Sequence, residues 1–272
     1  MDNEKKNTEK LVIVFTVADI LLFIIFIIGI TYILQYFNAS NDNKQMYQEI
    51  ANNTEIQVLN TEEDLEDETS PISENVQKVV NLKQENQDVI GWIQIDNTDI
   101  NYPILQSSDD EYYLKHNYKK EKSKYGSIFI KSSCNILDTK SNVIIYGHNM
   151  NDTQMFNQLL NYENKDYYTE HPIIRLATEQ GESQYEIVSV FKSRVFYQDE
   201  TNVFRYYNYT TFDDEKTYSA YIENCKKIQL YDTGVSAEYG EQLITLSTCE
   251  YSQSNGRFVV VAKKLNSVTK DD

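Results

Sequence analysis

The sequence is poor in the residues from which metal and redox centres are built. It holds three cysteines (Cys134, Cys225 and Cys249) and three scattered histidines (His116, His148 and His171). No C-x-x-C pair and no Cys/His ligand cluster occurs, which excludes the common zinc frameworks. Three cysteines cannot all pair within one chain, so at least one thiol is left over. Positive charge is scarce as well. The formal charge is −17, and phosphate binding needs clustered Lys and Arg, so nucleic acid is excluded as a partner. Only four of the 25 basic residues are arginines: Arg175, Arg194, Arg205 and Arg257. No internal repeat is found.

What is abundant is apolar and acidic sequence, in separate places. LVIVFTVADILLFIIFIIGITYILQYF, residues 11–37, is an almost unbroken apolar run. A bilayer core of roughly 30 Å needs about 20 helical residues, so this run is long enough to span with tilt. It exceeds the apolar core of a cleaved signal peptide, and no small-x-small site follows, so an uncleaved transmembrane anchor is expected. Lys5, Lys6 and Lys10 precede it, and only Lys44 lies close behind. The positive-inside bias then puts residues 1–10 in the cytoplasm as a short tip and the remaining chain outside the cell membrane. Asp19 lies within the anchor and is assigned no function. Residues 38–72 read as an acidic stalk. Within it TEEDLEDETS (61–70) has six carboxylates in ten residues, the composition of a solvated, extended spacer. The folded domain is expected over 73–272.

In that domain short β-type runs dominate: GWIQID (91–96), INYPILQ (100–106), GSIFIK (126–131), NVIIYGH (142–148), PIIRLAT (172–178), QYEIVSVFKS (184–193), QLITLST (242–248) and RFVVVAKK (257–264). Their Val, Ile and Tyr content, with turn residues between them, marks strands. Eight short strands in an outward-facing domain imply a closed barrel or a sandwich. NVQKVVNLKQENQDVIGWI has Val76, Val79, Val80 and Val89 near helical spacing, with Ser73 or Asn75 as N-cap, which predicts a helix packed on one end of the domain. TQMFNQLLNY (153–162) and TFDDEKTYSAYIENCKK (211–227) interrupt the β pattern as helices. The second opens with Thr211 and acids and closes with lysines, as a helix dipole prefers.

The chemistry concentrates in TLSTCEYSQSNGRFVVVAKK (245–264), where a cysteine closes one β run and an arginine opens the next. Side chains alternate along a strand, so Thr245, Ser247 and Cys249 share the more polar face, where a terminal thiol is open to solvent. If the two runs pair as a hairpin, Arg257 lies beside Cys249. A guanidinium there favours thiolate and can donate to a developing oxyanion. A chain that otherwise prefers lysine places arginine at this point, which suits a planar, permanently charged fork. The plain alternatives are a small buried hydrophobe at 249 and a surface charge at 257. A thiol nucleophile also needs a proton donor and acceptor. His148 ends NVIIYGH just after Gly147, whereas His116 sits in the lysine-rich loop LKHNYKKEKSK and His171 precedes Pro172 as a turn or strand-start residue. Spacing favours His148.

TLSTC with an arginine at the head of the next β-strand, and YGHNM upstream, resembles the signature of sortases, the membrane-anchored cysteine transpeptidases of Gram-positive bacteria. VIGWIQIDNTDINYPILQ, DDEYYLKHNY, GSIFI, NVIIYGHNM, MFNQL, YEIVSVF and YDTGV occur in that order before the cysteine and resemble class B, so the likeness covers roughly residues 74–265. The resemblance implies a mostly β fold, an eight-stranded sortase-type barrel with a long helix between strands 6 and 7. It implies Cys249 as nucleophile and His148 as general acid/base, with Arg257 and the backbone N–H after the cysteine as oxyanion donors. Tyr146, Ser247, Glu250 and Leu114 are its implied substrate neighbours. The implied reaction cleaves a sorting motif near the C-terminus of surface proteins through a thioacyl-enzyme. The acyl group then passes to an amine of a peptidoglycan precursor or a pilin, with no metal or organic cofactor. Cys134 falls in a loop that varies in that family, either free or paired with Cys225. Two other readings remain: a membrane-tethered cysteine endopeptidase in which water replaces the amine, and a non-catalytic surface binding module with Cys249 merely buried.

Overall fold

The computed structural model describes residues 2–52 and 72–265, with the side chains of the first helix described from Val14 onward. That helix is α1 (Asp2–Asn52), and its residues up to Gln48 form a unit separate from the rest of the chain. It is long and apolar enough to cross a membrane. Its apolar side chains between Val14 and Phe37 point outward, Phe23 at 64% and Phe26 at 62% exposure, as a lipid-facing helix requires and a water-facing one does not tolerate. Helix α1 continues through Asn52, so residues 38–52 of the expected stalk are helical. The acidic run 61–70 lies outside the described residues, as do Met1 and 266–272.

The second unit is built on strands. Helix α2 (Glu74–Glu85) starts where Ser73 Oγ accepts from the Val76 N–H, so Ser73 rather than Asn75 is the cap. It lies across the barrel wall rather than at an end, with Lys78 Nζ 5.3 Å from the centre of the Trp92 ring. Val89, counted above with the helix, belongs instead to the first strand. The strands are β1 (Val89–Gln94), β2 (Asn101–Gln106), β3 (Ile128–Ile130) and β4 (Asn142–Tyr146). They continue as β5 (Ile173–Thr178), β6 (Gly181–Arg194), β7 (Leu243–Cys249) and β8 (Gly256–Lys264). Among the described residues these eight close a barrel in the order β1-β2-β3-β4-β7-β8-β6-β5, with β5 pairing back onto β1. Two pairs, β2–β3 and β4–β7, are parallel and the rest antiparallel.

The interior is a ring of aliphatic residues in cross-strand register: Ile130 opposite Ile145, Ile145 opposite Leu246, Leu246 opposite Val260, and Val260 opposite Val190. All are buried. Each contributes on the order of 1.5–3 kcal/mol of transfer free energy, which makes the barrel a rigid frame for what its rim carries.

The stretch 153–162 does not form the expected α-helix. Asn157–Glu163 is a 3-10 turn that buries Leu159 and Tyr162. With Phe156, these repeat every third residue, the period of a 3-10 turn rather than 3.6. Helix α3 (Lys165–Glu170) follows, capped by Asn164. Helix α4 (Glu215–Lys227) lies between β6 and β7, with Asp214 as its N-cap. Its buried residues Tyr218, Tyr221, Ile222 and Cys225 join Phe212, Tyr206, Val259 and Val261 in a second core on the outer face of β6, β8 and β7.

Candidate active site

Parallel pairing brings two strand ends together. Tyr146 on β4 is the register partner of Ser247 on β7, and both strands run the same way, so their C-terminal ends emerge side by side. Two residues further on stand His148 and Cys249. The strands remain joined here by Thr248 Oγ1, which donates to Gly147 O at 2.8 Å. Strand β8 runs antiparallel to β7 and begins at the same pole, with Arg257 the direct cross-strand partner of Cys249. Alternation along the strands puts His148, Cys249 and Arg257 on the same, outer face. Topology therefore collects the thiol, the imidazole and the guanidinium at one rim of the barrel.

Each is held by identifiable contacts. The His148 ring Nε2 lies 2.8 Å from Leu114 O. A carbonyl only accepts, so Nε2 carries the proton and Nδ1 is the nitrogen left to exchange one. Gly126 makes this contact sterically possible. Its φ is +57°, and a Cβ there would stand 2.6 Å from Tyr113 O, 2.9 Å from Leu114 O and 3.1 Å from His148 Cδ2. Gly147 admits a second close approach: a Cβ there would meet Ile128 Cδ1 at 2.5 Å and the Phe156 ring at 2.8 Å. Arg257 Nη1 donates to Gly256 O at 2.9 Å and to Asn255 O at 3.3 Å. Its other N–H groups have no hydrogen-bond partner among the described residues. The backbone N–H after Cys249, expected above as a second oxyanion donor, instead closes the last rung of the β7–β8 ladder, with Glu250 N 3.0 Å from Gly256 O. That leaves the guanidinium as the donor beside the thiol.

The other two histidines are committed to the fold. His116 stacks on Tyr112 with ring centroids 4.1 Å apart and has Nδ1 2.8 Å from Tyr112 O. His171 closes α3, with Nδ1 3.0 Å from Tyr167 O. Among the described residues no group of three His, Cys, Asp or Glu side chains has the arrangement of a metal site. All three cysteines are free. Burial pushes the Cys225 thiol well above its usual range and raises the Cys134 thiol too, whereas Cys249 is half-buried at the rim.

The four expected substrate neighbours divide into two pairs. Tyr146 is half-buried, stacked on Phe129 at 5.6 Å with Lys131 Nζ 6.0 Å from its ring centre. Leu114 is also half-buried, and its contribution to the site is its main-chain carbonyl. Ser247 is 1% exposed, its hydroxyl 2.7 Å from Tyr206 Oη. Glu250 is 7% exposed and folds into the β7–β8 turn, where it accepts from the Ser252 N–H at 3.0 Å and the Ser252 hydroxyl at 2.6 Å. Sequence reasoning missed Gly126, which opens GSIFI, and Asn149, which follows His148 and whose Nδ2 donates to Cys249 O at 2.9 Å. A glycine before a strand and an asparagine after a turn were the available signals.

Comparison with known proteins agrees with this geometry. A sortase-domain family model matches residues 93–265. The sortase B of Listeria monocytogenes is 39% identical over 186 residues, covering 67% of this chain and 72% of that protein. The structure of sortase B from B. anthracis superposes with a TM-score of 0.68 at 30% identity, covering 85% of this chain and 99% of that one. A Staphylococcus aureus sortase B–substrate complex gives 0.62 at 30% identity over 70% and 85% of the two chains. The chain therefore belongs to the sortase family, as a class B sortase: a cysteine transpeptidase on a closed eight-stranded barrel.

Proposed function

We propose that Cys249, His148 and Arg257 carry the transpeptidation, and that the chain performs it outside the cell on surface proteins bearing a C-terminal sorting signal. One observation supports the assignment above all others: Cys249 and Arg257 are direct cross-strand partners at the strand ends that also present His148. The Cys249 thiolate attacks the scissile carbonyl carbon, and the Arg257 guanidinium donates to the resulting oxyanion. His148 gives the Nδ1 proton to the leaving amine as the C–N bond breaks, leaving a thioacyl-enzyme. An incoming amine of a peptidoglycan precursor or a pilin then attacks, His148 takes its proton, and the C–S bond breaks to restore the thiolate. A ring fixed at Nε2, with Nδ1 left without a hydrogen-bond partner among the described residues, supports this proton path. No step needs a metal or organic cofactor.

Residues 11–37 serve as the membrane anchor, with 1–10 cytoplasmic, 38–72 as spacer and 73–272 as the catalytic domain. The outward apolar surface of α1 and the lysines before it support that topology. Product analysis distinguishes transfer from hydrolysis. The full chain in detergent micelles is given the best-turned-over member of a randomised peptide library, with and without hydroxylamine as acceptor. Hydroxamate product supports transfer, whereas cleavage into which the amine never enters makes the enzyme an endopeptidase.

A further inference from the structure

The main-chain ladder between β4 and β7 ends with the Gly147 N–H donating to Ser247 O at 3.3 Å, yet His148 and Cys249 come side by side only if the strands hold register beyond that bond. Side chains extend it. Thr248 supplies one rung to Gly147 O, and Asn149 Nδ2 supplies the next by donating to Cys249 O at 2.9 Å. Asn149 is 7% exposed, and its Oδ1 accepts from Asn157 Nδ2 at 2.6 Å. The amide is thus fixed from both ends, since a flipped Asn149 would set acceptor against acceptor and donor against donor. Its loop is pinned as well. The Phe156 N–H donates to His148 O at 2.9 Å, Asn149 forms an isolated bridge with Met155, and Tyr251 Oη lies 3.4 Å from Asn149 O.

We infer that Asn149 is a positioning residue for the transfer reaction: it locks the Cys249 carbonyl to the residue that follows His148 and so sets the geometry between thiol and imidazole. The peptide plane of Cys249 fixes the direction of its Cα–Cβ bond, and a bond on either side of the reacting pair leaves that direction little freedom. A misplacement of about 1 Å costs on the order of 10²-fold in rate. Asn149 acts through Cys249 and touches no substrate, so the loss falls on kcat rather than on KM.

This inference rests on Cys249 and His148 being the reacting pair. The test uses the full chain in detergent micelles with Asn149→Asp, Asn149→Ala and Asn157→Ala. Two quantities are read: steady-state kinetics on the library-selected peptide with hydroxylamine, and the rate of iodoacetamide alkylation of Cys249 against pH. An ionised Asp is isosteric with Asn but presents only acceptors to the Cys249 carbonyl. In both Asn149 variants kcat falls about 10- to 100-fold with KM within about twofold, and the Cys249 alkylation profile moves along the pH axis. Asn157→Ala gives a smaller loss in the same direction. A kcat within about twofold of the parent in Asn149→Asp overturns the inference. So does a loss that merely follows the folded fraction while the alkylation profile stays in place. Cys249→Ala in the same assay separates the two levels. Activity surviving that change removes the reacting pair itself, whereas activity lost there with the Asn149 variants intact removes only the inference.

Discussion

Thr245 and Cys249 stand on one face of the same strand, yet they meet opposite surroundings. Thr245 is fully buried, its hydroxyl donating to Asn142 Oδ1 at 2.7 Å and lying 3.1 Å from Tyr221 Oη. Asn142 Nδ2 in turn donates to Tyr209 O at 2.8 Å. The β6–β7 connection covers this part of the strand with Tyr206, Phe212 and α4. At the strand's end Cys249 is only half-buried. Polar alternation thus means two things within five residues of one strand. Beneath a cover it marks a hydrogen-bonded network, and at the open end it marks a reactive group.

The comparison breaks most visibly by substitution at its two ends. Cys249→Ala removes the nucleophile and should lower peptide transfer by at least about 10³-fold, with the thermal midpoint essentially unchanged. Thr245→Val should do the reverse. It leaves Asn142 Oδ1 and the Tyr221 hydroxyl short of a buried partner and lowers stability by about 1–3 kcal/mol while the folded fraction keeps its turnover. Transfer assays paired with denaturant unfolding read both. If Cys249→Ala keeps its activity, the reactive end has been placed on the wrong residue.

Thiol chemistry sharpens the same contrast over a wider distance. Burial raises the Cys225 and Cys134 thiols above their ordinary range, so at a given pH they hold less thiolate than a solvated cysteine. Raising the pH from about 7 to about 9 should therefore leave Cys225 unlabelled by iodoacetamide in the folded protein. Cys249 at the rim should be modified first, on the order of 10²-fold faster, and mass spectrometry of tryptic peptides reads the order directly. Labelling of Cys134 or Cys225 ahead of Cys249 would return Cys249 to the status of a buried structural thiol.

The strands were legible because each is a short Val/Ile-rich run between turn residues, and all eight fall where the pattern puts them. The Cys249–Arg257 contact was legible because it is local, closed by one turn of a hairpin. The β4–β7 pairing was not, since parallel partners about a hundred residues apart carry no mutual signal in their side chains. His148 was nevertheless reachable, because it alone follows directly on a strand, whereas His116 sits in a lysine-rich loop and His171 closes a helix before Pro172. Main-chain chemistry left no trace at all. Leu114 was read for its side chain, while its carbonyl is what orients the imidazole. Ser247, a neighbour of the thiol in sequence, points into Tyr206, a partner that only the folded chain supplies, while Glu250 is taken up by Ser252 within its own turn.

The smallest expected effect lies where cover and open end meet. Tyr206 caps the covered stretch through its bond to Ser247 Oγ, and burial pushes its phenol up to about 12 despite that bond and the nearby Arg257, both of which pull it down. A phenol with a raised folded-state pKa stabilises the fold fully below its unfolded value, near 10, and loses that contribution as pH climbs toward the folded value. Tyr206→Phe should therefore cost about 1 kcal/mol at pH 7, where Ser247 is left without its partner. The gap to the parent should stay constant from about pH 6 to 9. It should narrow between about 10 and 12, because the parent then loses what the phenylalanine variant never had. Urea midpoints measured across that range decide it. A gap that stays constant through pH 12 would mean the phenol ionises without unburying, and Tyr206 would then belong with the open rim rather than with the covered core.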